Sequence, residues 1–166
     1  MKYSFSILFI LFLSLNIYSQ SFEMYKGDTI NYINKNNIKQ GLWIYFNNSY
    51  KNNISQKGFF KDGKKNGVWY SYYKNGNLKC KTTLKNNRQN GEVTTYYKDG
   101  TIQEEGYWKQ NRWVGEYKYF YSSGKVKYHW FYDSYGKRTG NQVYFYENGI
   151  KQIEGKWIQG KETGKI

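Results

Sequence analysis

Asn66-Gly67-Val68-Trp69-Tyr70-Ser71-Tyr72-Tyr73-Lys74-Asn75-Gly76 is the stretch that decides the fold. A glycine opens it, an aromatic run follows, and an Asn-Gly pair closes it nine residues after the first glycine. The same register returns at Gly41, Gly91, Gly115 and Gly140, and in each unit an aromatic stands five residues after the glycine: Phe46, Tyr72, Tyr96, Phe120 and Phe145. The intervals from Gly41 to Gly164 are 26, 24, 24, 25 and 24 residues, so the chain is a tandem array.

A unit of this length holds two strands of about six residues and two turns, and is too short for a helix pair. The first turn of each unit reads Lys74-Asn75-Gly76, Lys98-Asp99-Gly100, Ser122-Ser123-Gly124 and Glu147-Asn148-Gly149. Asn-Gly and Asp-Gly tolerate the positive φ of a tight hairpin, and Ser-Gly suits a three-residue loop ending in a left-handed glycine. The second turn is expected to be longer and polar: Lys61–Asn66, Lys85–Asn90, Lys109–Arg112 and Gln159–Thr163. The chain has no proline, which agrees with an extended ladder of backbone donors. The fold class expected is all-β, an elongated and twisted antiparallel meander of hairpins.

Alternation divides the first strand of each hairpin into two faces. Ile44 and Phe46, Tyr70 and Tyr72, Thr94 and Tyr96, Lys118 and Phe120, and Val143 and Phe145 share one of them. The other carries Trp43, Trp69, Tyr73, Tyr97, Tyr117, Tyr121 and Tyr146. On the second strands, Leu78, Cys80 and Leu84 are placed together, as are Ile102 and Trp108, and Val126, Tyr128, Trp130 and Tyr132. Aromatic residues make up 22% of the chain while the mean hydropathy is −0.93, which suits a thin sheet held by cross-strand aromatic ladders. A sheet that exposes such a face is expected to have it covered, so the Trp43 to Tyr146 stripe is both the candidate binding surface and the candidate core row.

Residues 1–19 differ from the rest. Lys2 gives a short basic start, Ile7 to Leu15 an apolar run broken only by Ser14, and Asn16 and Ser19 a polar end with a small residue. This pattern predicts a secretory signal peptide cleaved after Ser19, with Ser21 the alternative. The apolar run is far shorter than the roughly 20 residues of a spanning helix, so no transmembrane span is expected once the leader is removed. The destination is then periplasmic, cell-surface or extracellular.

Little in the chain points to catalysis. Cys80 and His129 are each the only residue of their type, and no recurring Ser, Cys or carboxylate pattern surrounds them. Glu104 and Glu105 are adjacent, but neighbours in a strand point to opposite faces and do not form an acid–base pair. No catalytic residue, metal site or cofactor is expected. The net charge is +14, and removing Lys2 with the leader leaves 25 basic against 12 acidic side chains. Basic residues interleaved with aromatics can bind nucleic acid, but export disfavours that partner, and the lysines gather in turns where they keep a flat sheet soluble.

The segment quoted first, together with Gly106-Tyr107-Trp108-Lys109-Gln110-Asn111-Arg112-Trp113-Val114-Gly115-Glu116-Tyr117, resembles the bacterial variant of the MORN repeat, including antitoxin-like repeat proteins of the YwqK type. The resemblance covers roughly residues 28–166. It implies a meandering sheet of hairpins, a scaffold or association role, and no catalytic residues. Thr82 and Trp130 depart from the pattern, standing where Gly58, Gly106 and Gly155 mark the second strand of other units. The organisation expected is a leader over 1–19, a degenerate capping repeat over 20–40, and about five MORN-like repeats over 41–166. The function expected is an exported, non-catalytic module that binds a protein or envelope component. A glycan-binding surface protein and an antitoxin or immunity-like protein that neutralises a toxin are the alternatives, and a homo-oligomer through an aromatic face remains open.

Overall fold

The computed structural model describes residues 19–165, so the predicted leader lies outside the described residues apart from Ser19. Thirteen strands form one open sheet in strict chain order, every neighbour antiparallel. They are β1 (Ser21–Tyr25), β2 (Asp28–Ile33), β3 (Lys39–Phe46), β4 (Ile54–Lys61), β5 (Lys64–Tyr72), β6 (Leu78–Lys85) and β7 (Arg88–Tyr96). The array continues with β8 (Ile102–Lys109), β9 (Arg112–Phe120), β10 (Val126–Tyr132), β11 (Gly140–Phe145), β12 (Lys151–Ile158) and β13 (Lys161–Lys165). At about 4.8 Å between neighbours the sheet is on the order of 60 Å across its strands. The all-β meander is as the sequence predicts.

The two turns of each unit exchange the characters expected of them. The polar turns are the tight ones: Asp62-Gly63, Asn86-Asn87, Gln110-Asn111 and Gln159-Gly160 are two-residue hairpins with both central residues at positive φ. The Asn75-Gly76 turn is instead a three-residue loop, closed by bonds from Gly76 N to Tyr73 O and from Tyr73 N to Asn77 O. Only Gly76, at φ +89°, is left-handed there, and Asn75 spends its side chain on the Asn77 amide. The same loop returns at Gly100, Gly124, Gly136 and Gly149. Asn86, Asn87 and Asn111, residue types that tolerate the left-handed region, adopt it there without glycine, and Gln110 and Gln159 do so beside them.

Because the polar turns are tight, β5, β7, β9 and β13 start three residues before their anchor glycines. Gly67 is therefore inside β5, at φ +75°. There the register slips: Lys57 and Phe59 of β4 are two residues apart, while their partners Tyr70 and Asn66 are four apart. Thr82 and Leu84 meet Val93 and Gln89 across an equal slip. The periodic glycine is thus a bulge residue in a strand, a place where any Cβ would be strained.

A second bulge near the start of each second strand corrects the face assignment. Ser71 pairs with Cys80 but Tyr72 pairs with Leu78, leaving Lys79 unpaired. Leu78 therefore joins Tyr72, while Cys80 stays on the face of Leu84. The slips at Gln103 and Lys127 likewise set Ile102 apart from Trp108, and Val126 apart from Tyr128, Trp130 and Tyr132. Simple alternation fails because an extra residue reverses every side chain beyond it.

At the N-terminal side, β1 and β2 form a hairpin that pairs with β3 only at Tyr32 and Ile33. Beyond that point Asn31 replaces the ladder, donating from Nδ2 to Ile44 O at 3.2 Å and accepting Ile44 N–H at Oδ1 at 2.9 Å. Residues 20–40 thus cover the edge that β3 would otherwise present, a role expected of a terminal unit.

Candidate functional site

Cross-strand partners define two rows on opposite faces. On the first face, Trp69, Thr82, Val93, Gly106, Tyr117 and Trp130 lie opposite one another across β5 to β10. On the second, Ile44, Lys57, Tyr70, Lys81, Thr94, Glu105, Lys118, His129, Val143 and Glu154 form an unbroken line across β3 to β12.

The first face holds most of the core. Trp43, Phe60 and Trp69 are buried in one cluster, with Ile33, Tyr45 and Leu84 against it. Phe60 meets Trp43 edge-on at 5.4 Å and Trp69 edge-on at 5.3 Å. The indole nitrogens are satisfied by backbone carbonyls, Trp43 Nε1 by Gln40 O and Trp69 Nε1 by Phe59 O. A single-layer sheet has no second layer to cover these rings. The residue two before each anchor glycine covers them instead: Lys39 Nζ lies 4.2 Å from the Trp43 ring centre and Lys65 Nζ 3.9 Å from that of Trp69. Burial pushes the Lys65 amine below its usual range. In the next units Trp113 packs 4.6 Å from Tyr117, and the Arg138 guanidinium lies 4.0 Å from Trp130.

Row chemistry also explains Thr82 and Trp130. A Cβ on Gly58 would fall 2.4 Å from the Trp69 indole, so glycine is what lets that ring lie across β4. Where Thr82 fills the second-strand position, its partner is the slim Val93. Where Trp130 fills it, the next unit supplies Gln142 in the row. Bulk moves between neighbouring strands, and the filled volume is kept.

The seven residues of the predicted stripe all fall on this first face, in three different settings. Trp43, Trp69 and Tyr117 are buried, at 7%, 3% and 7% exposure, and hold the sheet together. Tyr73, Tyr97 and Tyr121 form a ladder in which each hydroxyl donates to a backbone carbonyl of the next unit: Tyr96 O at 2.7 Å, Phe120 O at 2.7 Å and Phe145 O at 2.9 Å. Burial, with Tyr119 beside it, pushes the Tyr97 phenol up to about 12. Tyr146 is the next of this series and is 49% exposed. The stripe thus comprises three buried rings, three half-buried tyrosines and one exposed one.

Other singled-out residues are placed as follows. Glu104 lies on the first face and accepts the Tyr117 O–H at 2.9 Å; burial first, then Glu104, pushes that phenol up. Glu105 lies on the second face, away from Glu104. His129 Nε2 is 2.8 Å from Glu116 Oε1, and Lys118 Nζ is 3.0 Å from the same oxygen. These neighbours, Lys118 before His129, hold the Glu116 carboxyl below its ordinary value. The Cys80 thiol is half-buried opposite Ser71 and Thr95, and burial pushes it up. Among the described residues no group of His, Cys, Asp and Glu could hold a metal ion, and no helix is long and apolar enough to cross a membrane.

Sequence reasoning missed the open region of the second face. Near its N-terminal end, Tyr25, Leu42, Ile44, Ile54, Phe59 and Tyr70 line a shallow concavity of about 440 Å³, with Lys26, Lys57 and Asp28 at its margin. Phe59 is 56% exposed, whereas Ile44 at its floor is buried. The Lys57 ammonium sits 5.4 Å from the Tyr70 ring centre and 5.9 Å from that of Tyr72. The signal that could have found it is the pairing of Phe59 and Val68 with the Ile44 row, which requires the bulge to be known.

Comparison with known protein families finds the MORN repeat variant at residues 65–86, 89–110 and 113–134. Each matched segment begins two residues before an anchor glycine, at Lys65, Gln89 or Trp113, and runs through one three-residue loop into the turn that follows the second strand. No curated protein matches the chain. Repeats of this kind generally serve as binding or scaffold modules. Three successive hairpin units of this open sheet, within residues 65–134, thus match the MORN repeat variant in tandem.

Proposed function

We propose that this chain is an exported, non-catalytic repeat protein that serves as a binding or scaffold module for a protein or envelope component, docked on the second face of the sheet. The observation that carries the reading is the apolar concavity around Ile44 and Tyr70, open on the second face of strands whose first face is filled by the Trp43, Phe60 and Trp69 cluster under Lys39 and Lys65. Export rests on the leader pattern of Met1 to Ser19. The non-catalytic reading rests on the separation of Glu104 from Glu105 and on the engagement of His129 with Glu116 at the surface.

Affinity capture from the envelope and secreted fractions of the source cells, with the tagged chain as bait, tests this. A specific protein or envelope component should be retained by the wild type and lost from Tyr70→Lys, while Tyr146→Ala retains it. Capture of the same component by Tyr70→Lys would place docking elsewhere.

A further inference from the structure

The tight-turn end of the second face carries paired cations that this docking reading does not use, beside the concavity whose margin it shares at Phe59. At three successive hairpin tips the last residue of one strand and the first of the next are both basic and directly paired: Lys61 with Lys64, Lys85 with Arg88, and Lys109 with Arg112. Like charges directly opposite destabilise a sheet. None of these six cations forms a salt bridge among the described residues, and all six are exposed. The nearest acid is Asp62, in the first tip itself, which accepts from Gln40 Nε2 at 2.9 Å; the other two tips contain no acid, and Glu92, Glu105 and Glu116 on this face lie toward the middle of the sheet, where Lys118 and His129 engage Glu116.

The tips are fixed against one another. Asn87 N–H donates to Lys65 O at 3.0 Å while Asn87 Oδ1 accepts Lys65 N–H at 2.7 Å, and Asn111 repeats both bonds with Gln89 at 3.0 Å and 2.8 Å. Each pair is thus held two strands from the next, about 10 Å at the usual strand spacing. Across the three tips lies a polar concavity of about 380 Å³, lined by Lys64 of the first, Lys85, Asn86, Arg88 and Asn90 of the second and Gln110 of the third. Phe59 and Tyr107, 56% and 46% exposed, stand two residues before Lys61 and Lys109 on the same strands.

We infer that this edge binds a linear acidic polysaccharide, with one carboxylate seated at each cation pair and the exposed faces of Phe59 and Tyr107 against sugar rings. The pair spacing is the length of an extended disaccharide, so a polymer with one acid per disaccharide meets successive tips in register. The phosphates of a nucleic acid strand are closer than this, and two widely separated aromatics offer no continuous platform for its bases. Arginine and paired lysines supply several donors per carboxylate, and the polyelectrolyte character makes the binding salt-sensitive.

The test is binding of the purified full chain to hyaluronan, which carries one carboxylate per disaccharide, at low salt. Single-stranded oligothymidine and phosphatidylglycerol vesicles serve as competing probes, and folding of each variant is verified by circular dichroism. Lys85→Gln with Arg88→Gln should weaken hyaluronan binding by roughly tenfold, since two exposed ionic contacts are removed and 1.4 kcal/mol is tenfold. Lys74→Gln with Lys98→Gln, the same charge change at the opposite rim, should leave it unaltered. Equal weakening by both double variants would show attraction to net charge alone and overturn the inference. So would the absence of hyaluronan binding, or tighter binding of oligothymidine or vesicles with the same dependence on Lys85 and Arg88.

Discussion

Gly58→Ala is the smallest change that probes how this sheet keeps a core without a second layer. The added Cβ would stand 2.4 to 2.6 Å from three atoms of the Trp69 indole, so the ring must retreat by about 1 Å to restore ordinary contact. It has nowhere to go. Trp69 is 3% exposed, meets Phe60 edge-on at 5.3 Å, lies under Lys65 and is tethered by Nε1 to Phe59 O. Overpacking of this kind costs about 1–3 kcal/mol, and the tether and the covering lysine place this site at about 2–3 kcal/mol. For a domain of this size that is a fall of roughly 5–10 °C in Tm. Urea and thermal unfolding, followed by tryptophan fluorescence and circular dichroism, measure it. The pairing of Thr82 with Val93 supplies the control. Gly58→Thr combined with Trp69→Val reproduces that pair, and the two changes should couple favourably by at least about 1 kcal/mol in a double-mutant cycle. A Gly58→Ala protein within about 0.5 kcal/mol of wild type, or additive effects in the cycle, would refute the volume exchange.

Other outcomes follow from the same geometry. Tyr97→Phe removes a hydroxyl bond to Phe120 O and should cost about 1 kcal/mol in urea unfolding, whereas Tyr146→Phe, at the exposed member of the series, should cost nothing measurable. Deleting residues 91–114 removes one period and joins equivalent positions, so size-exclusion chromatography and circular dichroism should show a soluble, folded, shorter sheet. Glu116 is held below its ordinary value of 4.5 by Lys118 and His129, so its contribution to stability is present above that pH and is lost as pH falls through the lower folded value. The side chain is 52% exposed, so the loss of Tm in acid should be small and should shrink with added salt, and Glu116→Gln should remove it.

Much of the fold was legible because its signals are local. The spacing of glycine and aromatic fixes the period, and turn residues every dozen positions fix the hairpins. The turn types were read in reverse because Asn75-Gly76 looks like the stronger two-residue signal, while Asn86-Asn87 and Gln110-Asn111 reach positive φ without glycine. Bulges were invisible for a related reason. One extra residue, such as Lys79, leaves no mark on composition but reverses Leu78 relative to Cys80. The Trp69 stripe was legible as a face, and as a candidate for surface and core row alike, but not how its rings are covered. Its burial depends on Lys39 and Lys65, whose charged ends read as surface while their stems and ammonium groups cover indole rings.

The reading of Thr82 and Trp130 as departures from the repeat likewise dissolves once neighbours are known. Each is half of a pair whose other half, Val93 or Gln142, lies in the next unit. Each repeat packs against its neighbour, so a pair that crosses the unit boundary is not visible in a single unit viewed alone. The open concavity on the second face belongs to the same class of feature, since Tyr25, Ile44, Ile54 and Tyr70 come from four different strands.

The most direct test of the account is site-specific photocrosslinking with benzoylphenylalanine placed at Tyr70 on the second face and, separately, at Tyr119 on the first, in the cells that make the protein. A crosslinked partner from position 70 and none from position 119 is the result expected. Crosslinking from position 119 alone would put the binding surface on the face assigned to the core and contradict the account.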